Sequence, residues 1–161
     1  MPESEIIAKS AFYPVLDALK GIISECWVAF WACHKFNNAF FCCSSMHVGN
    51  SLVLFYPDGN HSQTPVPGSI EYIVTKPNNE IVYVICWQLP APPGALNPFC
   101  VYPHFPAYIY SPELSKQCQV IQPDWVLSHH AQWNFDKDRV VVLNLSCVSL
   151  YFIYYQSIKY L

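Results

Sequence analysis

Along most of the chain, short apolar runs alternate with polar residues and end at prolines, asparagines or glycines, which is the pattern of β-strands joined by turns. The strongest case is a pair of runs over residues 70–75 and 81–86, both rich in β-branched and aromatic residues and separated by the turn sequence KPNN. This arrangement predicts a β-hairpin. Further strands are predicted in CWVAFWACHKF, SLVLFYPDGN, VYPHFPAYIY and DRVVVLNLSCVSL, whereas DWVLSHHAQWNF fits either a strand or an irregular segment.

Residues 1–24 have a different period, with apolar side chains three and four positions apart and most charged side chains off that stripe. This spacing predicts an amphipathic helix, which either begins near Pro14 or kinks there. The apolar stripe consists of Ile7, Phe12, Val15, Leu16, Leu19, Ile22 and Ile23. Such a helix can pack its apolar face on a sheet, or it can leave the sheet and lie in a membrane, and periodicity does not separate the two.

A second, short helix is predicted near residues 111–118, in the sequence SPELSKQC. Ser111 is a favourable N-cap, Pro112 suits the first helical position, and Glu113 suits the positive end of the helix dipole. Many short strands together with two helices predict a mainly β fold, a β-sandwich flanked by two short α-helices.

The composition fits one folded domain over residues 1–161, since a chain with 53% apolar and 12% charged residues is unlike a disordered one. The net charge is −3 and Arg139 is the only arginine, so the chain has no basic stripe for nucleic acid. The N-terminus lacks a basic segment followed by an apolar one, and we expect a cytoplasmic protein as written, acting on target membranes after release. The aromatic tail at residues 147–161 is expected to be either an added edge strand or a poorly ordered end.

The eight cysteines raise the question of disulfides or a metal site. None of them forms a CxxC pair, and Cys42 and Cys43 are adjacent. Because no signal-peptide pattern precedes them, this usage favours mostly reduced cysteines that pack as small apolar side chains.

The best candidates for catalysis are His129 and His130, with Asp124, Asp136 and Asp138 near them in the sequence. Adjacent residues on a strand point to opposite faces, so the two histidines are poorly placed to share a metal ion. The chain has neither HExxH nor GxSxG, and it has no glycine-rich phosphate loop. We therefore expect no enzymatic activity, no metal and no cofactor.

Aromatic and proline residues are concentrated after the predicted hairpin, between residues 87 and 110. The aromatic members are Trp87, Phe99, Tyr102, Phe105, Tyr108 and Tyr110. Any one of them fits a core position, but the whole set on proline-held loops is too large for a thin sandwich to bury. An exposed aromatic patch is typical of a partner or membrane site, and tyrosine and tryptophan suit the bilayer interface.

Several segments, taken in order, resemble the actinoporins, the pore-forming cytolysins of sea anemones. IIAKSAFYPVLDALKGI is similar to the N-terminal helical segment of that family, and CWVAFWACHKFNNAF is similar to its first core strand. LFYPDGNHSQTPVPGSI and CWQLP resemble its central strands, and SPELSKQ falls where the family has its second helix. DRVVVLNLS is similar to its closing strand, so that the resemblance covers roughly residues 5–146.

The resemblance implies a β-sandwich with a helix on each side, and binding to membranes rich in sphingomyelin. It also implies a monomer or small oligomer in solution, which forms a homo-oligomer on the membrane and inserts its N-terminal helix to make a pore. By position, the head-group site of the family corresponds here to Ile70, Gln88, Pro90, Leu96 and Phe99. With neighbouring aromatic residues added, the predicted lipid-binding residues are Ile70, Trp87, Gln88, Pro90, Leu96, Phe99, Tyr102, Tyr108 and Tyr110.

The family's head-group pocket is rich in tyrosines, and this chain departs from it. Leu96 stands in place of a pocket tyrosine, and Ser111, Ser115 and Lys116 replace tyrosines of the second helix. A choline group is held by cation–π contacts with several rings, so fewer rings weaken that interaction. The alternatives are a relative that folds but forms no pore, and a non-lytic module that binds a glycan or another head group, like the fungal fruit-body lectins of similar fold.

Overall fold

The computed structural model describes residues 29–102 and 105–146, and the predicted helix over residues 1–24 and the tail over 147–161 lie outside them. No helix in the described part of the chain is long and apolar enough to cross a membrane. The strands are β1 (Ala29–Trp31), β2 (Cys33–Phe36), β3 (Ala39–Cys42), β4 (Leu52–Phe55), β5 (Val66–Thr75), β6 (Ile81–Pro90), β7 (Ala107–Ile121), β8 (Val126–Asn134) and β9 (Val140–Asn144). The helical segments are α1 (Val48–Ser51) and two 3-10 turns, Pro57–Gly59 and Pro123–Trp125.

Six strands form a closed, barrel-like sheet in the order β4–β8–β9–β7–β6–β5, with β5 pairing back to β4. All neighbouring strands in it are antiparallel. The ring closes because one edge of β5 pairs with β6, while the other edge pairs first with β4 and then with β1. β2 and β3 form a separate hairpin. The prediction of a mainly β fold is confirmed for the described residues.

The hairpin predicted around KPNN is confirmed as β5 and β6, in which Thr75 pairs with Ile81. Asn79 in its turn has a φ of 63°, a left-handed conformation that asparagine tolerates better than most residues. Lys76 and Glu80 close the turn with an ion pair of 3.0 Å. The other predicted strand segments contribute β1, β2, β4, β9 and the start of β7, and the ambiguous segment contains strand β8.

The predicted second helix is wrong, because residues 111–118 lie within the long strand β7. Gln88 pairs with Leu114 and Cys86 pairs with Cys118, so that a step of two residues on β6 is matched by a step of four on β7. β-Bulges take up the excess residues of β7 here and again beyond Gln88.

The residues that favoured a helix act within these bulges instead. The hydroxyl of Ser111 accepts a hydrogen bond from the Glu113 N–H at 3.2 Å, and that of Ser115 accepts one from the Gln117 N–H at 3.0 Å. Pro112 is tolerated because a bulge leaves a position without a ladder hydrogen bond. A helix this short is unstable by itself, so the long-range pairing with β6 outweighs the local preference.

The largest core cluster is built from side chains of β3 to β7, and each fully buried one contributes roughly 1.5–3 kcal/mol. Its buried members are Phe41, Val53, Phe55, Ile70, Ile73, Tyr83, Ile85 and Ile121. Gly68 lies against this cluster, and a Cβ there would be only 2.7 Å from Ile85 Cγ2. A larger residue at that position would therefore displace the core.

Cys33 and Cys42 form a disulfide between β2 and β3, so the expectation of reduced cysteines is wrong for this pair. The two residues are directly opposite each other in the antiparallel register, with Cα atoms 4.0 Å apart. Asn37 and Asn38 make the tight turn between the strands with positive φ values of 46° and 64°. The free thiols of the described residues are Cys43, Cys86, Cys100 and Cys118.

Candidate functional site

The segment that joins β6 to β7 exposes a group of large apolar side chains, and we call its described residues, 91–102 and 105–106, the apolar loop. Leu96 is 82% exposed, Val101 69%, Tyr102 64% and Phe105 46%. The sequence has no Asp, Glu, Lys or Arg between residues 81 and 112. Exposed apolar side chains usually occur singly on a protein surface, so this charge-free concentration indicates an interaction surface.

A pair of turns shapes the first half of the apolar loop. The Ala95 N–H donates a hydrogen bond to the Pro92 carbonyl at 3.1 Å, and Gly94 within this turn has a φ of 81°. The side-chain oxygen of Asn97 then accepts a hydrogen bond from the Phe99 N–H at 3.0 Å. These local bonds fix the backbone where it presents Leu96 to solvent.

Further turns hold the second half of the apolar loop. The Tyr102 N–H donates to the Phe99 carbonyl at 2.9 Å, and the Phe105 N–H donates to the Tyr102 carbonyl at 2.8 Å. The rings of Phe99 and Phe105 pack with their centroids 5.4 Å apart. These backbone N–H groups already have hydrogen-bond partners within the loop. Moving the loop into an apolar medium would therefore leave fewer unpaired polar groups than moving a loop whose backbone donors bond only to water.

The sheet anchors the base of the apolar loop. Pro90 at the end of β6 pairs with Tyr110 near the start of β7. Tyr110 packs against the cluster of Leu54, Val140 and Val142, and burial raises the pKa of its phenol. These contacts tie the loop to a fixed platform formed by β4, β7 and β9.

The predicted lipid-binding residues differ widely in exposure. The exposed ones are Pro90, Leu96, Tyr102 and Tyr108; the half-buried ones are Trp87, Phe99 and Tyr110; the buried ones are Ile70 and Gln88. Ile70 contributes to the main core, and the side-chain amide of Gln88 donates a hydrogen bond to the Ser111 carbonyl. A surface ligand therefore reaches the exposed group directly and does not meet Ile70.

Val101 and Phe105 belong to the exposed surface. Phe105 was in the aromatic group predicted after the hairpin but not among the predicted lipid-binding residues, and Val101 was in neither set. The signal that could have found them is the charge-free stretch over residues 81–112, read as a whole rather than by matching positions. Within it, successive proline-containing turns give the chain few ways to fold apolar side chains inward.

Both histidines considered for catalysis are packed among other residues of the fold. The ring of His129 stacks on Phe41 with centroids 4.7 Å apart, its Nε2 lies 3.1 Å from the Phe40 carbonyl oxygen, and burial lowers its pKa. His130 is only 2% exposed, neither ring nitrogen has a hydrogen-bond partner among the described residues, and burial lowers its pKa to about 4. Across residues 29–102 and 105–146, no three His, Cys, Asp or Glu side chains converge as metal ligands.

Comparison of the chain with protein-family models, with curated proteins and with solved structures finds no match. The resemblance to actinoporins therefore depends on the segments of the sequence that carry it. The apolar loop and its anchored base are features of the structure itself and do not depend on that resemblance.

Proposed function

We propose that this protein binds membrane lipid through the apolar loop, as an actinoporin-like pore-forming cytolysin. The observation that carries the proposal is the exposure of Leu96, Val101 and Tyr102 on a loop without charged residues. Insertion of these side chains beneath the lipid head groups removes apolar surface from water, at roughly 1.5–3 kcal/mol for each large side chain that becomes fully buried. Since the loop carries no Asp, Glu, Lys or Arg, no such charge has to be desolvated with them.

Tyr102 and Tyr108 are the residues that we expect to meet the head group. Both residues are more than half exposed, at 64% and 54%, and a phenol suits the bilayer interface because one end is apolar and the other polar. The choline of sphingomyelin is attracted to the face of such a ring. Because no Lys or Arg lies in the loop, we expect binding to choline lipids without a requirement for anionic lipid and with weak dependence on salt.

Pore formation is the second part of the proposal, and it depends on residues 1–24. During pore formation, the apolar loop holds the β-sandwich implied by the resemblance at the membrane. The amphipathic segment then enters the bilayer within a homo-oligomer. The periodicity of its apolar stripe supports this role. Deletion of residues 1–24 is expected to abolish leakage from vesicles and to leave vesicle binding in place.

A glycan-binding module of the same fold is the alternative, and the surroundings of Gln88 count against it. A sugar site needs accessible polar groups, but Gln88 is buried and its amide already donates to the Ser111 carbonyl. The exposed residues of the apolar loop are mainly apolar or aromatic. A glycan panel measured beside the lipid vesicles separates the two functions.

The test is co-sedimentation and dye release with vesicles of sphingomyelin and cholesterol and with vesicles of phosphatidylcholine alone. We expect the protein to pellet with the vesicles, more strongly with sphingomyelin, and to release dye. Val101→Asp places a charge on the exposed loop surface and is expected to weaken vesicle binding by about tenfold or more.

Val48→Asp is the matched control, because Val48 on α1 is 65% exposed and lies outside the apolar loop. It is expected to bind vesicles like the unchanged protein. Equal losses for the two variants, or no loss for either, would show that the apolar loop is not the membrane contact. Binding to glycans and to neither vesicle type would replace the proposal with the lectin function.

A further inference from the structure

Cys86 on β6 and Cys118 on β7 are free thiols that lie directly opposite each other in the antiparallel ladder. Their sulfur atoms are 2.8 Å apart. Opposed residues in such a ladder have Cα atoms about 4.5 or 5.5 Å apart, and both distances lie within the range that disulfides span. The two strands therefore already hold the cysteines in an arrangement that a disulfide can join without movement of the backbone.

We propose that Cys86 and Cys118 form a redox modification site, a dithiol that closes to an intramolecular disulfide by exchange with a small-molecule disulfide such as oxidised glutathione. Cys33 and Cys42 give a precedent in the same chain, since they too are opposed residues of an antiparallel pair and are joined. The proposal is independent of lipid binding. Oxidation would join the middle of β6 to β7 and leave the exposed side chains of the apolar loop unchanged.

The exchange takes place in two steps that balance. The Cys118 thiolate attacks one sulfur of oxidised glutathione, which gives a mixed disulfide and releases one glutathione thiolate. Cys86 then loses its proton to solvent, and its thiolate attacks the Cys118 sulfur and displaces the second glutathione. Two protein thiols are oxidised to one disulfide, and the disulfide of the reagent is reduced to two thiols.

Burial of Cys86 disfavours the thiolate that the second step requires. Burial, and after it the hydrogen bond with Cys118, raises the pKa of the Cys86 thiol to about 12. Only the thiolate attacks, so the rate of ring closure is expected to rise about tenfold for each pH unit between pH 7 and pH 9.

The other free thiols of the described chain provide internal controls. Cys100 is exposed on the apolar loop, and Cys43 is buried beside the Ser45 hydroxyl at 3.4 Å. Neither is opposed to another free cysteine in the strand register. Cys100 is therefore expected to take up glutathione and keep it, because no other free thiol of residues 29–102 and 105–146 lies opposite it to displace the second half of the reagent.

The test exposes the full chain to glutathione buffers of increasing oxidised fraction, followed by acid quenching, alkylation and non-reducing peptide mass spectrometry. We expect a cross-linked pair of peptides that contain Cys86 and Cys118, and loss of alkylation at both residues together. Because the bond would join residues separated by 32 positions, the melting temperature is expected to rise by roughly 10 °C on oxidation.

Two variants sharpen the result. Cys118→Ser is expected to remove the cross-link and the rise in melting temperature, while Cys100→Ser is expected to retain both. The unchanged chain alone decides the case if Cys118→Ser does not fold. Free alkylation of Cys86 and Cys118 in fully oxidising buffer, or a cross-link from either residue to a different cysteine, would overturn the proposal.

Discussion

The β2–β3 hairpin and the apolar loop both carry phenylalanines, and these side chains differ in burial. The β2–β3 hairpin packs onto the core, where Phe41 contacts the rings of Tyr83 and His129 at centroid distances of 5.6 Å and 4.7 Å. The apolar loop leaves Leu96 and Phe105 exposed, held by its own turns. The difference shows that aromatic content does not decide burial. Phe41 is buried because strands from elsewhere in the chain supply its partners, whereas Phe40 on the other face of the same strand is 57% exposed and Phe105 is held only by local turns.

The hairpin is also held by a polar contact to the core and by a disulfide between its own two strands. Nδ1 of His34 lies 2.8 Å from the phenol oxygen of Tyr83, and the Cys33–Cys42 disulfide joins its two strands. Burial lowers the pKa of His34, which favours the neutral ring in this contact. We infer that the hairpin is part of the stable core, while the apolar loop is the surface through which we propose that the protein meets a membrane.

The largest effect is expected from a pair of matched truncations, Phe41→Ala and Phe105→Ala. Phe41 is buried in the main core, so its truncation is expected to lower the free energy of unfolding by about 3–5 kcal/mol. Phe105 is partly exposed, and its truncation is expected to cost about 1 kcal/mol or less while it weakens vesicle binding. Denaturant unfolding of both variants checks the stability. Equal losses of unfolding free energy in the two variants would mean that the apolar loop is as firmly packed as the hairpin.

Acid is expected to have the next largest effect, through the buried His130 of β8. Its pKa in the fold is about 4, below the 6.5 of the unfolded chain, so the unfolded state binds the proton more readily. Above pH 6.5 the ring is neutral in both states. As the pH falls from 6.5 to 4, this residue is expected to remove up to about 3 kcal/mol of stability.

His130→Leu isolates this contribution, because leucine fills the site without titrating. Its free energy of unfolding is expected to fall less than that of the unchanged protein between pH 7 and pH 4.5, as measured by urea denaturation at each pH. Parallel curves for the two proteins would show that His130 does not account for the acid sensitivity.

The smallest effect is expected at the turn of the apolar loop. Gly94 has a φ of 81°, but among the described residues nothing lies within 4 Å of a Cβ placed there. Gly94→Ala is therefore expected to cost only about 1 kcal/mol of backbone strain. Gly59 has a φ of 68°, and a Cβ there would lie 2.6 Å from the Trp125 ring, so Gly59→Ala is expected to cost more. Thermal melts of both variants check this order.

Local sequence patterns were sufficient for much of the sheet and for locating the charge-free stretch that contains the apolar loop. The β5–β6 hairpin follows from two alternating runs and a turn of Pro and Asn, which act over a few residues. The same patterns were insufficient at residues 111–118, where good capping residues indicated a helix and the structure has a bulged strand. The exposure of Val101 was also missed, since position-by-position matching does not show which way a loop faces.

By itself, the sequence determined the mainly β class, the β5–β6 hairpin and the charge-free stretch that contains the apolar loop, because these depend on alternation and composition over short distances. Only the tertiary structure decided that Ile70 and Gln88 are buried, that Cys33 is bonded to Cys42, and that Cys86 faces Cys118. Each of those outcomes requires two strands to meet in one register. For Gln88 and for the Cys86–Cys118 pair, that register is set by core packing and ladder hydrogen bonds between distant parts of the chain. Cys33 and Cys42 are only nine positions apart, but their pairing still depends on the register that the turn between their strands sets.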